Sequence, residues 1–373
     1  MKINYIANIR LPTEKAHGLQ IMKTCEALAK NGVEVELVIP NRNNISDKEI
    51  FDFYNVQPVF KITKIPVLSL FITSKIGFLL HSSLFWLKSV DYVRKSSTGI
   101  IYSRDKFPLL LSSIIGIHSY FESHTGGWGL GSSLIMNKID GIVCITEGLR
   151  DLYKEHGISS KKLIVAPDAV DINLFNNLQD KEDCRKELDL PLDKKIVMYV
   201  GSFSLYKWKG LDVFLESAKL FDQTYLFVAV GGNKKEIENI NASGISSNVK
   251  LIERVNNSIV PKYLKSADAL IIPNKSGDIV SEKYTSPMKL FEYMASGVPI
   301  VASDLPSIRE IINDSNGILV EPNNARLLSE GIKSALLSSN QRAQKALEEV
   351  KIKYSWQKRA DIIKGFIISS YEK

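Results

Sequence analysis

INYIANIRLPTEKAHGLQIMKTCEALAKNGVEVELVIP, residues 3–40, opens with an apolar run, crosses a polar loop and closes with a second apolar run. Between the runs, LQIMKTCEALAKNG has the apolar spacing of an amphipathic helix, and Gly32 stands where that helix stops. Strand, helix and strand in that order form a βαβ unit, whose right-handed crossover makes the strands parallel. The alternation recurs at GIIYS, IHSYFES, GIVCIT and KLIVAP, with helical stretches between them. A parallel sheet with helices on both faces is the expected class for this half.

Around residues 172–194 the texture changes. DINLFNNLQDKEDCRKELDLPLDKK is polar and charged, which marks a junction. A second α/β series follows through KIVMYVG, YLFVAVGG, VKLIERV, ALIIPN, PIVAS and GILVEP. The length of 373 residues suits two domains. The expected division is 1–171, a junction at 172–194, and 195–353, with a terminal helix at 354–373 packing back on the first domain. Two doubly wound, Rossmann-like domains facing across a cleft are the expected architecture.

An apolar content of 45% and a charged content of 24% describe an ordinary globular protein with material for two cores. The net charge of +7 suits an anionic ligand, a membrane surface or nucleic acid without choosing among them. The basic residues are scattered and no recognition motif for nucleic acid is present, so that partner is not expected. Cys25, Cys144 and Cys184 are far apart, with no CxxC, which argues against a disulfide framework or a zinc site. The start MKINYIANIR lacks the apolar core of a signal peptide, so a cytoplasmic setting is expected.

The most apolar region, residues 67–87, is interrupted by Lys75 and His81 and reads first as a helix buried in the first domain. Its alternative is shallow docking on a membrane, helped by Lys61, Lys64, Lys75 and Lys88, with Phe78 and Phe85 on the docking side.

Two stretches of the second half carry chemistry. In VGSFSLYKWKG, Gly201, Lys207 and Lys209 follow a strand and precede a helix, a place suited to a diphosphate. The same residues could be a polar turn with solvated lysines. In SPMKLFEYMASGVPIVASD, residues 286–304, Ser286 reads as an N-cap, Pro287 as the first helical residue and Gly297 as a left-handed C-cap. Lys289 lies near that helix start and Glu292 about 5 Å further along the axis. A carboxylate there can hold a vicinal diol, as in a ribose. Equally, the two side chains can form an exposed helix pair worth a few tenths of a kcal/mol.

In this order, PTEKAHGLQIMKTCEALAKNG, IVAPDAVD, VGSFSLYKWKG, VPKYLKSADALIIP and SPMKLFEYMASGVPIVASD resemble the GT4 family of retaining glycosyltransferases. The resemblance covers nearly the whole chain and implies the GT-B fold with a nucleotide-diphosphate sugar as donor. It implies a diphosphate site of Gly18, Gly201, Lys207, Lys209, Ser286, Pro287, Met288 and Lys289. It further implies nucleotide contacts from Gly231, Gly232, Arg254, Val255 and Glu292. His124, in FESHTGGWG, falls where the family often has a histidine near the transferred sugar. Catalysis is thereby assigned to His124, Lys209 and Glu292, and the sugar and acceptor side to His17, Arg104, Glu122, Glu282 and Tyr284.

Two positions depart from the family pattern. The glutamate that usually precedes Glu292 would fall at 284, which is Tyr284, and the arginine often found after Gly201 is Ser202. Arg104 and Asp105 read as a pair pinning a loop, and Thr146 as an N-cap. The expected activity is transfer of a sugar to a glycan or lipid-linked acceptor, in cell-surface polysaccharide or glycoconjugate synthesis. No metal or other cofactor is expected, and peripheral attachment at the inner face of the cell membrane fits a lipid-linked acceptor. The rivals are a nucleotide-sugar epimerase on the same fold and an inactive binding partner, which Tyr284 keeps open.

Overall fold

A computed structural model of the chain describes residues 1–42, 45–67, 74–96, 99–129, 131–203, 207–338 and 340–371. Its elements begin with β1 (Lys2–Ile6), α1 (Ala16–Lys30), β2 (Glu34–Pro40), α2 (Asp47–Tyr54), β3 (Lys61–Ile65) and α3 (Lys75–Lys95). β4 (Ile100–Ser103), α4 (Lys106–Ile114), β5 (Ser119–Ser123), α5 (Ser132–Lys138), β6 (Gly141–Cys144), α6 (Glu147–Glu155) and β7 (Leu163–Val165) follow. The second series runs α7 (Lys181–Glu187), β8 (Lys195–Val200), α8 (Leu211–Ala218), β9 (Tyr225–Gly232), α9 (Lys234–Ala242) and β10 (Val249–Glu253). It continues through α10 (Val260–Ser266), β11 (Ala269–Ile272), α11 (Met288–Ser296), β12 (Ile300–Ser303), α12 (Pro306–Arg309) and β13 (Ile318–Val320). α13 (Ala325–Leu337), α14 (Gln341–Lys353) and α15 (Trp356–Tyr371) end the chain.

Two units result: Met1–Pro167 with Trp356–Lys373, and Asp168–Ser355. The boundary lies before the expected residue 171. The stretch 172–194, expected as a junction, belongs to the second unit, where α7 packs on α10. Arg185 on α7 explains this: its guanidinium donates to the carbonyls of Ser266 and Lys194 and pairs with Asp268 at 2.7 Å. Polar composition here reflects a buried ion pair, not a linker.

The first unit holds a parallel sheet in the order β3-β2-β1-β4-β5-β6-β7. β3, KITKI, is an edge strand that the apolar pattern did not reveal, because lysines flank its two isoleucines. Lys61 and Lys64 on it pair with Glu36 and Asp47, so they are not the free membrane-facing cations that the sequence suggests. α15 packs on α1 and β6, and Gly141 permits the approach: a Cβ there would lie 2.6 Å from the Phe366 ring.

The second unit holds a parallel sheet in the order β10-β9-β8-β11-β12-β13, the doubly wound arrangement. Its strands read as continuous apolar runs because both faces are covered. The period of two splits them. Ile196, Met198, Val228, Leu270 and Ile300 join one core with α10 and α11; Val197, Tyr199, Phe227, Ile271 and Val301 join the other with α8 and α13.

Candidate functional site

At the carboxyl end of β8 the chain turns at Gly201 and re-enters through a single 3₁₀ turn, Lys207–Lys209. Ser204, Leu205 and Tyr206, inside the expected phosphate loop, lie outside the described residues. Lys207 is exposed, whereas Lys209 is half-buried and donates to Ser202 Oγ at 3.0 Å. Burial first, and then the charge of Arg254, pull the Lys209 amine down to about 8. Gly210 escaped the sequence reading. Its φ is +71°, and a Cβ there would stand 1.7 Å from the Pro273 carbonyl oxygen, so only glycine can start α8.

α11 presents Leu290, Phe291, Tyr293 and Met294 to the core and leaves Lys289 and Glu292 half-buried on its other side. Pro287 occupies the N-cap position and no side chain caps the helix. Ser286 is therefore not the expected cap; its Oγ accepts from the Asp168 amide at 3.0 Å. The Met288 and Lys289 amides begin the helix without intrahelical acceptors. Gly297 ends it in the left-handed conformation, φ 68°, as the sequence requires.

Lys289 and Glu292 do not pair. Lys289 Nζ is buried, has no hydrogen-bond partner and sits 4.7 Å from the centre of the Tyr199 ring. Burial, then repulsion from Lys209, hold its amine well below the usual lysine range. Glu292 makes no hydrogen bond or ion pair among the described residues, and burial lifts its carboxyl to about 7. A surface salt bridge between them is thus ruled out, and Lys209 lies close enough for its charge to push against that of Lys289. Leaving the buried Lys289 charge without a partner is costly unless an anion joins it. Tyr199, the ring beneath Lys289, carried no signal in the sequence beyond its place in a buried strand.

The glycines have structural reasons of their own. A Cβ on Gly231, whose φ is +127°, would stand 2.4 Å from the Gly201 carbonyl oxygen, and one on Gly232 would strike Phe203. These two residues let the ends of β8 and β9 lie together. Arg254 is exposed and its amide donates to the Gly232 carbonyl, while Val255 packs on the core. Glu282 accepts from the Gly277 amide at 2.7 Å, which commits it to its own loop; Tyr284 follows, half-buried. Asn274, after β11, is fully buried with neither amide atom bonded, a feature invisible in the run ALIIPN.

In the first unit Glu122, at the end of β5, is a buried hub. It accepts from Gln20 at 2.6 Å and Tyr102 at 2.5 Å, meets His124 Nε2 at 2.5 Å and lies 3.3 Å from Arg359. Desolvation opposes its charge, but Arg359 and His124 outweigh it and hold the carboxyl well below the usual range. His124 is pulled down to about 4 by burial and by Arg104, so near neutral pH it is uncharged. With Nε2 donating to Glu122, Nδ1 is its acceptor. Arg104 donates to Gln20 at 3.3 Å and not to Asp105, contrary to the pairing expected from their adjacency. Asp105 instead accepts from the Asn8 amide and Trp86.

His17 is half-buried at the start of α1, and burial and Arg104 lower its ring. Gly18 is needed there because a Cβ would come within 2.3 Å of the Tyr54 hydroxyl. Thr146 caps α6 by accepting from the Leu149 amide. Arg359, on the last helix, was absent from the sequence reading and has no local motif. No group of metal-ligating side chains occurs among the described residues.

Residues 180–350, within the second unit, match the family model described as Glycosyl transferases group 1. Among curated proteins, the chain is 22% identical to the putative teichuronic acid biosynthesis glycosyltransferase TuaC of Bacillus subtilis, over 89% of this chain and 88% of that one. It is 26% identical to the putative colanic acid biosynthesis glycosyl transferase WcaI of Escherichia coli, over 54% of this chain and 51% of that one. The chain thus spans about half the length of WcaI. Among solved structures, sucrose-phosphate synthase from Thermosynechococcus elongatus aligns with a TM-score of 0.79 at 16% identity, covering 100% of this chain and 99% of that one. Anabaena HepE in complex with UDP and glucose aligns at 0.76 and 14% identity, covering 99% and 100%. The shared fold is that of the GT-B glycosyltransferases.

Proposed function

We propose that the chain is a retaining glycosyltransferase. It moves a sugar from a nucleotide-diphosphate donor to a hydroxyl of a glycan or lipid-linked acceptor, in cell-surface polysaccharide or glycoconjugate synthesis. One observation carries the reading: the Lys289 amine is buried with no hydrogen-bond partner near the start of α11, where the charge of Lys209 pushes against it. A diphosphate supplies the missing charge.

The donor's diphosphate is held by Lys209, Lys289 and the free amides at the start of α11. As the glycosidic bond breaks, charge grows on the departing phosphate, and these fixed donors stabilise it more than the ground state. Glu292 accepts from the ribose hydroxyls one helical turn away. His124, neutral and oriented by Glu122, is assigned to the sugar side. Because the cationic charge comes from lysines, turnover is expected to persist in EDTA.

UDP, the nucleotide bound by Anabaena HepE, is the first donor base to test. The deciding experiment follows nucleotide release from a panel of donor sugars, with and without glycan and lipid-linked acceptors. Release that requires an acceptor, with an axial or equatorial linkage matching the donor, supports retention and transfer. Inverted product overturns retention. Acceptor-independent interconversion of donor sugars identifies the epimerase, and donor binding without turnover identifies an inactive partner.

A further inference from the structure

α3 leaves Ile76, Phe78, Leu79, Leu80, Leu84 and Leu87 exposed, Ile76 by 75% and Leu79 by 62%. The opposite side, with His81, Phe85, Val90 and Val93, is the one that packs in the first unit. The exposed cations of α3 are Lys75, Lys88, Arg94 and Lys95. Asp91, its single acid, is already paired with Arg94 and Lys95. A large apolar face bordered by an excess of positive charge is the composition of a helix that lies in a lipid interface. No described helix is long and apolar enough to cross a membrane.

Beneath the first turns of this helix lies a second feature. The Arg42 guanidinium stands 6.0 Å from the half-exposed Phe78 ring, and its Nη2 donates to Asn8 Oδ1 at 2.6 Å and His81 Nδ1 at 3.2 Å. Arginine only donates, so His81 Nδ1 accepts and Nε2 carries the proton. That Nε2 is buried and has no partner, in a residue only 1% exposed; Arg42 Nε is unpartnered too. Arg10 lies close enough to push against the Arg42 charge. Asp105 offsets the Arg42 charge in part, and its Oδ2 already accepts from the Asn8 amide and Trp86. Two arginines and two unused N–H groups beside an apolar face suit a phosphate at the head of a lipid.

We propose that the first unit seats the exposed face of α3 on a bilayer and takes a lipid phosphate at Arg42 and Arg10, beside Phe78. If the transferase reading holds, this is the phosphate of a lipid-linked acceptor, but the binding itself requires no turnover. Cosedimentation of the full chain with phosphatidylcholine vesicles tests it, the vesicles containing either phosphatidic acid or phosphatidylglycerol at matched surface charge.

Wild type is expected to prefer the exposed phosphomonoester of phosphatidic acid. Arg10→Gln and Arg42→Gln should each weaken that binding about fivefold. Leu79→Ser with Leu80→Ser should weaken binding to both vesicles about tenfold or more. Hexyl phosphate in solution, measured by calorimetry, separates the sources: wild type and the leucine variant should bind it equally and weakly. Arginine variants that fold, by thermal melting, and bind phosphatidic acid like wild type overturn the phosphate site. Leucine variants that sediment like wild type overturn the docking face. A wild-type dimer in sedimentation velocity that the leucine changes dissociate, with no vesicle binding, assigns the face to a second copy and overturns the lipid. Nucleotide release by wild type across the donor and acceptor panel is measured in parallel. Vesicle binding without release from any donor and acceptor pair counts against the transferase reading and leaves the lipid proposal standing.

Discussion

Lys289 has the environment of a base that waits for an anion. It is buried and unbonded, and burial followed by repulsion from Lys209 holds its amine well below the usual lysine range. A bound diphosphate reverses this, raising both lysine pKa values toward normal. Binding of a nucleoside diphosphate at pH 8 should therefore take up protons. Calorimetry in buffers of different ionisation enthalpy reads the uptake directly, and enthalpies independent of buffer would remove the diphosphate from these lysines. Lys209→Ala and Lys289→Ala should lower turnover more than ground-state binding.

Glu292 titrates at about 7 because its site desolvates it. The raised folded pKa means that its contribution to stability is greatest below the unfolded value and is lost as pH rises from about 4.5 to about 7. Glu292→Gln should accordingly stabilise the chain at pH 8, by on the order of 1–3 kcal/mol, and leave it unchanged at pH 4. The same variant should bind nucleoside diphosphate more weakly, by about 1.5–3 kcal/mol, and lose wild type's preference over the 2′,3′-dideoxy analogue. Equal discrimination by both proteins would show that Glu292 does not hold the ribose.

At the scale of elements, α3 separates two kinds of hydrophobic residue that the sequence presents as one. Phe85 is fully buried, whereas Leu79 and Leu80 are exposed. Phe85→Ala should cost about 3–5 kcal/mol in denaturant unfolding, while Leu79→Ser and Leu80→Ser should each change stability by less than about 0.5 kcal/mol. Comparable losses would place the leucines in the core. The sequence paired Phe78 with Phe85 on the docking side, and packing divides them. The turn into α8 is a second case: Gly210→Ala meets both a backbone oxygen and a positive φ, and should destabilise by about 2 kcal/mol or more.

For the whole molecule, the chain order and the folded units disagree at one end. The last helix, α15, belongs to the first unit, where Arg359 reaches Glu122 and Phe366 covers Gly141. Residues 1–167 alone should therefore expose the Tyr120 and Gly141 surface and aggregate or bind dyes of the molten state. Residues 168–355 contain Lys209, Lys289 and Glu292 with their whole sheet. That fragment should fold and bind a nucleoside diphosphate by calorimetry. A folded fragment with undetectable binding would count against the site.

The sequence by itself determined the two parallel sheets, because strands covered on both faces must be apolar throughout and cannot hide that pattern. It also determined where α11 ends, since the terminal Gly297 answers to a local backbone requirement, and it nominated Lys209, Lys289 and Glu292. What those residues do was left open between a salt bridge and a ligand site, since spacing along a helix fixes neighbours but not burial. Tertiary structure removed the salt bridge by burying Lys289 over the Tyr199 ring, unpaired with Glu292 and pushed by the charge of Lys209. The same reason hid Arg359, Gly210, β3 and the exposed side of α3. Each depends on a partner distant in the chain, and sequence pattern records only which residues need covering, never what covers them.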